Sequence, residues 1–358
     1  MKRVLVAPLD WGLGHATRCI PVIRALLERH CEVYIASAGN AIALLRHEFP
    51  TLHFFELPAY NPRYPRTGAM AFKMIVQIPK FWDTIRREHQ VLESIVRQHQ
   101  IALVISDNRY GCWSDAVPSI FITHQSNILM PKRFGVFAGL VRRANEKMTR
   151  KFSVCWIPDL PGEHSLAGAL AALAKNRKVL RHRYVGLLSR FKRGSGTTTR
   201  YDLLCIFSGP EPQRTLLENI VVRQMQQTKL RVVIVRGLPA GQNHPPLETV
   251  AEVVEFATTD QLQLLIDASS VVLARSGFST VMDLAQLGKK AIFIPTPGQT
   301  EQEYLAERLS RLTLALCVKQ ENFDLKKAWE SSKTCPGFGD WHQQEDMLTE
   351  AIDEALRL

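Results

Sequence analysis

The chain has 358 residues, 46% of them hydrophobic and 22% charged, with 20 Gly and 19 Pro. One hydrophobic core rarely fills that length, so two domains are expected, and the composition excludes collagenous, disordered and disulfide-dense classes. The net charge of +11 is uneven: residues 1–200 hold 30 Lys+Arg against 13 Asp+Glu, while residues 201–358 hold 15 against 21, so the halves should face different partners.

Arg3 to Leu9 is a β-rich run, followed by a Gly-containing loop and a helical pattern with Ile20, Ile23, Leu26 and Leu27 on one face. Buried-type strands follow at Val33–Ala36, Leu103–Ser106, Ser119–Thr123 and Val154–Ile157, spaced by helix-length segments as a parallel sheet requires. Ser189 to Arg200 is Gly, Ser, Thr and cations and reads as an exposed linker. A second βα series has strands at Leu203–Phe207, Val232–Val235, Val253–Phe256, Val271–Ala274 and Ala291–Ile294. The expectation is therefore an α/β protein of two Rossmann-like, doubly wound domains facing a cleft, residues 1–188 and 201–358. The charged amphipathic helix from Glu345 to Leu358 could pack back on the first domain.

The apolar stretches Phe134 to Val141 and Leu166 to Ala174 fall short of the roughly 20 residues that span a bilayer. Met1 leads through two basic residues directly into a strand, without a signal-peptide pattern, so a cytoplasmic location is expected. Seven scattered cysteines, never in a Cys-x-x-Cys pair, read as buried thiols.

The first loop, Asp10-Trp-Gly-Leu-Gly-His-Ala-Thr-Arg18, lies between a strand and a helix, where Gly12 and Gly14 let backbone amides approach a bound group. A dinucleotide fold would want a third glycine where Thr17 stands and an acidic residue closing the second strand, so a nicotinamide cofactor is rejected and no cofactor is expected. His15 at the helix start has an intrinsic pKa suited to accepting a proton near neutrality. Two further polar runs follow strands: Ser106-Asp-Asn-Arg109 and His124-Gln-Ser-Asn127. Each offers an acceptor contact or an alternative base, Asp107 and His124 foremost; helix capping is the competing reading for Asp107 and Asn127.

The second domain opens alike, with Ser208 and Gly209 after its first strand placed to meet a diphosphate, although an ordinary strand–helix loop explains this motif as well. The strongest stretch runs from Ala268 to Ala306. Ser279 and Thr280 fall at a helix N-terminus, and Asp283, four residues beyond Ser279, lies on the same face ~6 Å along the axis. One helix could thus hold phosphates at its tip and a ribose a turn deeper.

Arg275-Ser-Gly277-Phe-Ser-Thr-Val-Met-Asp283, with Val254-Glu-Phe-Ala-Thr-Thr259 before it and Pro297 to Ala306 after it, resembles glycosyltransferase family 28, most closely its N-acetylglucosaminyltransferase branch that acts on a lipid-linked cell-wall precursor. The resemblance is best over residues 250–310 and collinear at the Gly12–Arg18, Ser208–Arg214 and His124–Asn127 loops. It implies a GT-B enzyme: acceptor on the first domain, nucleotide-sugar on the second, inversion at the anomeric carbon and no metal. Phe256 and Ala257 would border the base, uracil by family habit; Ser279 and Thr280 would hold the diphosphate, Asp283 the ribose, and Gln302 with Glu303 the sugar hydroxyls. His15 matches the family's loop base. The family usually has Glu in place of Asp283 and a Gln pair in place of Gln302-Glu303. Independently, the chain has no Asp-x-Asp, in keeping with charge stabilisation by amides and a helix dipole.

Phe72, Met74, Ile75, Ile78, Phe81 and Trp82 among Lys73, Lys80, Arg86 and Arg87, and later Lys132 to Arg143, combine apolar residues with cations. They suit contact with an anionic membrane surface, and a core helix with a solvated cationic edge explains them nearly as well. No nucleic-acid reader motif is present. A nucleotide-sugar hydrolase or epimerase of the same fold, or a non-catalytic nucleotide-sugar-binding subunit, stays open as an alternative to transfer.

Overall fold

The computed structural model describes residues 1–62, 76–127, 138–172, 181–194, 198–238, 246–249, 251–339, 341 and 346–358. Two compact units divide the chain between Arg190 and Phe191, and the first unit also takes the terminal helix.

In the first unit, β1 (Arg3–Pro8), α1 (Leu13–Glu28), β2 (Glu32–Ser37), α2 (Gly39–Glu48) and β3 (His53–Glu56) are followed by α3 (Ile78–Gln98), β4 (Leu103–Asp107), β5 (Ser119–Ile122), α4 (Ala138–Thr149), β6 (Val154–Ile157) and β7 (Arg181–Tyr184). The seven strands are all parallel in the order β3-β2-β1-β4-β5-β6-β7. The order reverses between β1 and β4, where Pro8 pairs with Asp107. Such a reversal leaves the crevice at the strands' carboxyl ends in which α/β folds bind ligands. Leu92, Ile95 and Val96 of α3 pack on Leu5, Ala7, Tyr34, Ala36 and Val104 of the sheet, each fully buried large side chain worth roughly 1.5–3 kcal/mol.

The final helix, α10 (Asp346–Ala355), buries Ala351, Ile352 and Ala355 in this unit. Arg29 pairs with Asp353, Arg183 with Glu350 and Glu354, and Lys2 Nζ donates to Leu356 O at 2.9 Å.

The second unit runs β8 (Tyr201–Ile206), α5 (Gln213–Met225), β9 (Val232–Val235), β10 (Glu252–Val254), α6 (Thr259–Asp267), β11 (Ser269–Ala274), α7 (Phe278–Leu287), β12 (Lys290–Phe293), α8 (Thr300–Arg311), β13 (Leu316–Cys317) and α9 (Leu325–Thr334). Its six strands are parallel in the order β10-β9-β8-β11-β12-β13, reversing between β8 and β11. At Gly237 (φ +63°) an added Cβ would lie 2.3 Å from Phe207 O, so only glycine lets the turn after β9 pass the end of β8.

Three expectations are corrected. The stretch read as an exposed linker is anchored at its start: Phe191 is buried, Lys192 O accepts from Gln263 Nε2 and Arg193 Nη2 donates to Gly339 O. Strands β3, β7 and β13 lacked a buried-strand signal because they are half-exposed sheet edges, β3 and β7 partly polar and β13 two residues long. Cys317 and Cys335 are partly exposed, unlike the other five thiols. Among the described residues no helix is long and apolar enough to cross a membrane. The predicted runs at 72–75 and 132–137 lie outside the described residues.

Candidate functional site

At the β1/β4 reversal, the chain leaves β1 through Asp10 and Trp11 and enters α1 after Gly12, whose φ of +89° suits glycine. This turn sets His15 on the first turn of α1 and Arg18 one turn deeper. From the other side, β4 ends on Asp107. The side chains meet: Asp107 Oδ1 lies 3.1 Å from His15 Nδ1, and Arg18 grips both carboxylate oxygens, Nε on Oδ2 and Nη2 on Oδ1. Arg18 Nη2 is also 2.8 Å from His15 Nδ1, and Arg18 Nη1 is 3.0 Å from His124 Nδ1, beyond β5. Arg18 is 2% exposed and Asp107 0%, whereas the His15 side chain keeps 16%. Among the described residues, no hydrogen bond engages His15 Nε2.

Burial alone would raise the Asp107 pKa, but the Arg18 charge and the His15 contact outweigh it and hold the carboxyl well below its ordinary range. His15 is pushed below its ordinary value, first by burial and next by Arg18; Asp107 pulls the other way and loses. The imidazole is therefore neutral at pH 7 and able to accept a proton. Nδ1 faces both an acceptor, Asp107, and a donor, Arg18, and can satisfy one at a time. The tautomer with the proton on Nδ1, toward the carboxylate, leaves Nε2 as the basic atom.

A second charged cluster adjoins the first. Arg109, 0% exposed, donates to Asp10 Oδ1 and Glu88 Oε2, both at 2.9 Å, and from Nε to Pro8 O at 3.0 Å. Glu88 Oε1 accepts from Tyr60 OH and Gly111 N, each at 2.7 Å. A Cβ at Gly111 would fall 2.4 Å from Glu88 Cγ, so that amide reaches the carboxylate because the residue is glycine. Burial raises the Glu88 pKa against the opposing pull of Arg109 and its hydrogen bonds. Tyr60 N donates to Asp10 Oδ2 at 3.1 Å. Asp10 is thereby fixed from two sides, and with it the entry to the loop carrying Gly12, Gly14 and His15.

His15, Asp107 and His124 are thus brought together, although His124 is buried and bound to Arg18. Asp107 caps no helix; it is the partner of His15 and Arg18. Asn127 is used as a tie, its backbone N donating to Leu170 O and its Nδ2 to Ala169 O. Arg18 and Arg109 closed two of the loops named from the sequence but were given no role of their own, and Glu88 and Tyr60 were not singled out. The available signal was a charge on an apolar stripe, since Thr84, Glu88, Leu92 and Ile95 share the buried face of α3.

In the second unit, the predicted donor residues follow the carboxyl ends of β8, β10, β11 and β12. Ser208 is half-buried and Gly209 exposed, with φ +103°. Phe256 is half-buried and Ala257 buried, and Thr258 then opens α6 with a reciprocal capping box to Gln261. Arg236 holds Glu255 through Nη1, and grips Glu218 with Nε and Nη2 at 3.0 and 2.9 Å. Gly277 caps α7 without a side chain; Ser279 and Thr280 sit half-buried on its first turn, and Asp283 is 8% exposed.

Arg275 is buried, donating to Ile294 O, Pro295 O and Gln213 O. Burial brings it down to about 10. Gln302 Oε1 accepts from Thr296 N at 2.8 Å, and Glu303 Oε1 from Gly298 N at 2.8 Å. Arg275, Gln302 and Glu303 thus shape the β12–α8 loop. Among the described residues no group of three or more His, Cys, Asp or Glu side chains could hold a metal ion.

Residues 203–333 match the glycosyltransferase family 28 C-terminal domain. The chain is 31% identical over 130 residues to the UDP-N-acetylglucosamine--N-acetylmuramyl-(pentapeptide) pyrophosphoryl-undecaprenol N-acetylglucosamine transferase of Methylobacterium radiotolerans, an alignment covering 34% of this chain and 35% of the relative. The chain therefore spans about a third of the length of the first curated relatives it matches. A glycosyltransferase of Methanopyrus kandleri described as uncharacterized aligns over 89% of this chain and 90% of its own length at 22% identity. Among solved structures, Acinetobacter baumannii MurG superposes with a TM-score of 0.58 at 14% identity, covering 100% of both chains. The calicheamicin glycosyltransferase CalG4 reaches 0.62 at 14%, covering 100% of this chain and 94% of its own. The fold is that of GT-B glycosyltransferases, with two Rossmann-like parallel-sheet domains.

Proposed function

We propose that this chain, whose carboxyl-terminal unit carries a glycosyltransferase family 28 C-terminal domain, is an inverting glycosyltransferase moving a sugar from a nucleotide-sugar, UDP-linked by analogy with its relatives, to an acceptor hydroxyl. The observation that carries this reading is His15, neutral, backed by a buried ionised Asp107 and with Nε2 unbonded among the described residues. In the proposed step, Nε2 takes the acceptor hydroxyl's proton as that oxygen attacks the anomeric carbon from the face opposite the leaving group. The bond from the anomeric carbon to the diphosphate oxygen breaks with its electron pair, and the nucleoside diphosphate departs. Asp107 stabilises the imidazolium through Nδ1–H. The leaving charge is met by backbone amides at the tip of α7 and the Ser208–Gly209 loop, with no metal required. Asp283 would hold the ribose, Phe256 and Ala257 the base, and Gln302 with Glu303 the sugar.

A lipid-linked or otherwise membrane-borne acceptor fits the exposed Val76, Ile78 and Trp82 lying beside Lys80, Arg86 and Arg87. The direct test measures nucleoside diphosphate release from a panel of nucleotide-sugars, with and without lipid-linked acceptors. Acceptor-dependent release supports transfer. Equal release into water identifies a hydrolase, and binding without release a non-catalytic subunit.

A further inference from the structure

One guanidinium holds three ionisable side chains of the first unit. Arg18 and His15 are three residues apart on α1 and share a face. From this position Arg18 reaches Asp107 on β4 through Nε and Nη2, His15 through Nη2 and His124 beyond β5 through Nη1. Arg18, Asp107 and His124 are all buried. We propose that Arg18 is a positioning residue of the transfer reaction, clamping both oxygens of Asp107 so that one stays under His15 Nδ1 and partly neutralising the carboxylate that His15 leans on. The inference rests on the proposed role of His15.

The geometry separates this role from plain scaffolding. A carboxylate held by a planar fork cannot rotate away from the imidazole, and lysine, a point charge without the fork, cannot reproduce the hold. A carboxylate already paired with a cation also attracts an imidazolium less strongly than a free one. Arg18 therefore does two opposed things: it orients the group that assists His15, and it weakens that group's tendency to keep His15 protonated. The titratable and charged groups facing His15 are Asp107 from β4, Arg18 on its own helix and His124 from beyond β5, with the Cys19 thiol 3.7 Å behind on Asp107 Oδ2. Burial pushes that thiol well up, so it stays neutral. Removing the Arg18 charge should thus move the protonation of His15 to higher pH, and loosening the fork should lower turnover without touching the donor.

The test uses the full chain as wild type, Arg18→Gln and Arg18→Lys, with nucleoside diphosphate release followed from pH 5 to 9. Arg18→Gln should shift the acidic limb of kcat/KM upward in pH, whereas Arg18→Lys, which keeps the charge and loses only the fork, should leave the limb near that of the wild type. Each should lower kcat at pH 7 about tenfold or more, while KM for the donor stays within about twofold. A folded Arg18→Gln whose limb coincides with that of the wild type overturns the proposal, as does a loss confined to donor KM. If Arg18→Gln does not fold, Arg18→Lys carries the kcat criterion, and a folded Arg18→Lys with wild-type kcat overturns the proposal. Should the wild type release no nucleotide, the functional reading fails by itself. The Arg18 inference is then decided by NMR titration of the His15 ring, which must move to higher pH in folded Arg18→Gln and which overturns the inference if it does not.

Discussion

Replacing Arg109 with methionine keeps an unbranched apolar stem and removes the guanidinium, a charge that is 0% exposed. Arg109→Met removes the cation from two carboxylates, Asp10 and Glu88, which each accept from it at 2.9 Å, and leaves Pro8 O with the Ser37 hydroxyl as its remaining side-chain donor. Breaking a buried ion pair from one side destabilises by about 3–5 kcal/mol. Against a total of roughly 5–15 kcal/mol, that is a fifth of the stability or more, and it predicts a Tm fall of about 6–20 °C at ~2–4 °C per kcal/mol. Relief is available because Glu88, already raised above the ordinary carboxylate value by burial, can take a proton. With its folded pKa above the unfolded one, Glu88 holds a proton in the folded state that the unfolded chain has released, so stability falls as pH rises through that interval. Arg109→Met widens the interval upward, and lowering the pH from 7 toward 5 should restore part of the loss. Urea unfolding of the full chain at both pH values measures this, and Arg109→Met/Glu88→Gln should lose less than the sum of its single changes. A loss under about 1 kcal/mol that does not vary with pH would refute a closed ionic cluster at Arg109.

The other expectations can be checked in parallel. His15→Ala should lower kcat about 10²–10⁴-fold while donor binding persists, and the wild-type acidic limb should lie below the ordinary histidine value of 6.5 because His15 is shifted down. Asp283→Ala should weaken binding of nucleoside diphosphate about tenfold, as titration calorimetry would measure; unchanged affinity removes the ribose role. Gly237→Ala should destabilise the second unit by about 2 kcal/mol or more, from positive φ and the contact with Phe207 O. Liposome sedimentation should show salt-sensitive binding to anionic vesicles alone, and equal binding to neutral vesicles would sink the electrostatic account.

The βα alternation of both units was legible because strands buried on both faces of a parallel sheet read as apolar runs: Leu103–Ile105, Val232–Val235 and Val271–Ala274 are buried in the structure. The site was legible where loop position carried the information, at Gly12, His15 and the start of α7. Its ionic partners were not, since Arg18 meets Asp107 across 89 positions and Arg109 meets Asp10 across 99. No local pattern encodes such a pairing. The polar contacts of Arg275, Gln302 and Glu303 with neighbouring backbone likewise depend on how two loops fold over each other. The family resemblance had implied sugar contacts for Gln302 and Glu303, with Arg275 at the head of the motif that carries it.

The docking of α10 against α1 has a consequence for biogenesis. Ribosomes emit the chain in order, at roughly 5–20 residues per second, so the segment that pairs with Arg29 emerges only after the whole second sheet. The nascent first unit must wait, with one flank uncovered, through synthesis of the whole second sheet. Removing residues 346–358 would therefore damage the unit that was made earlier.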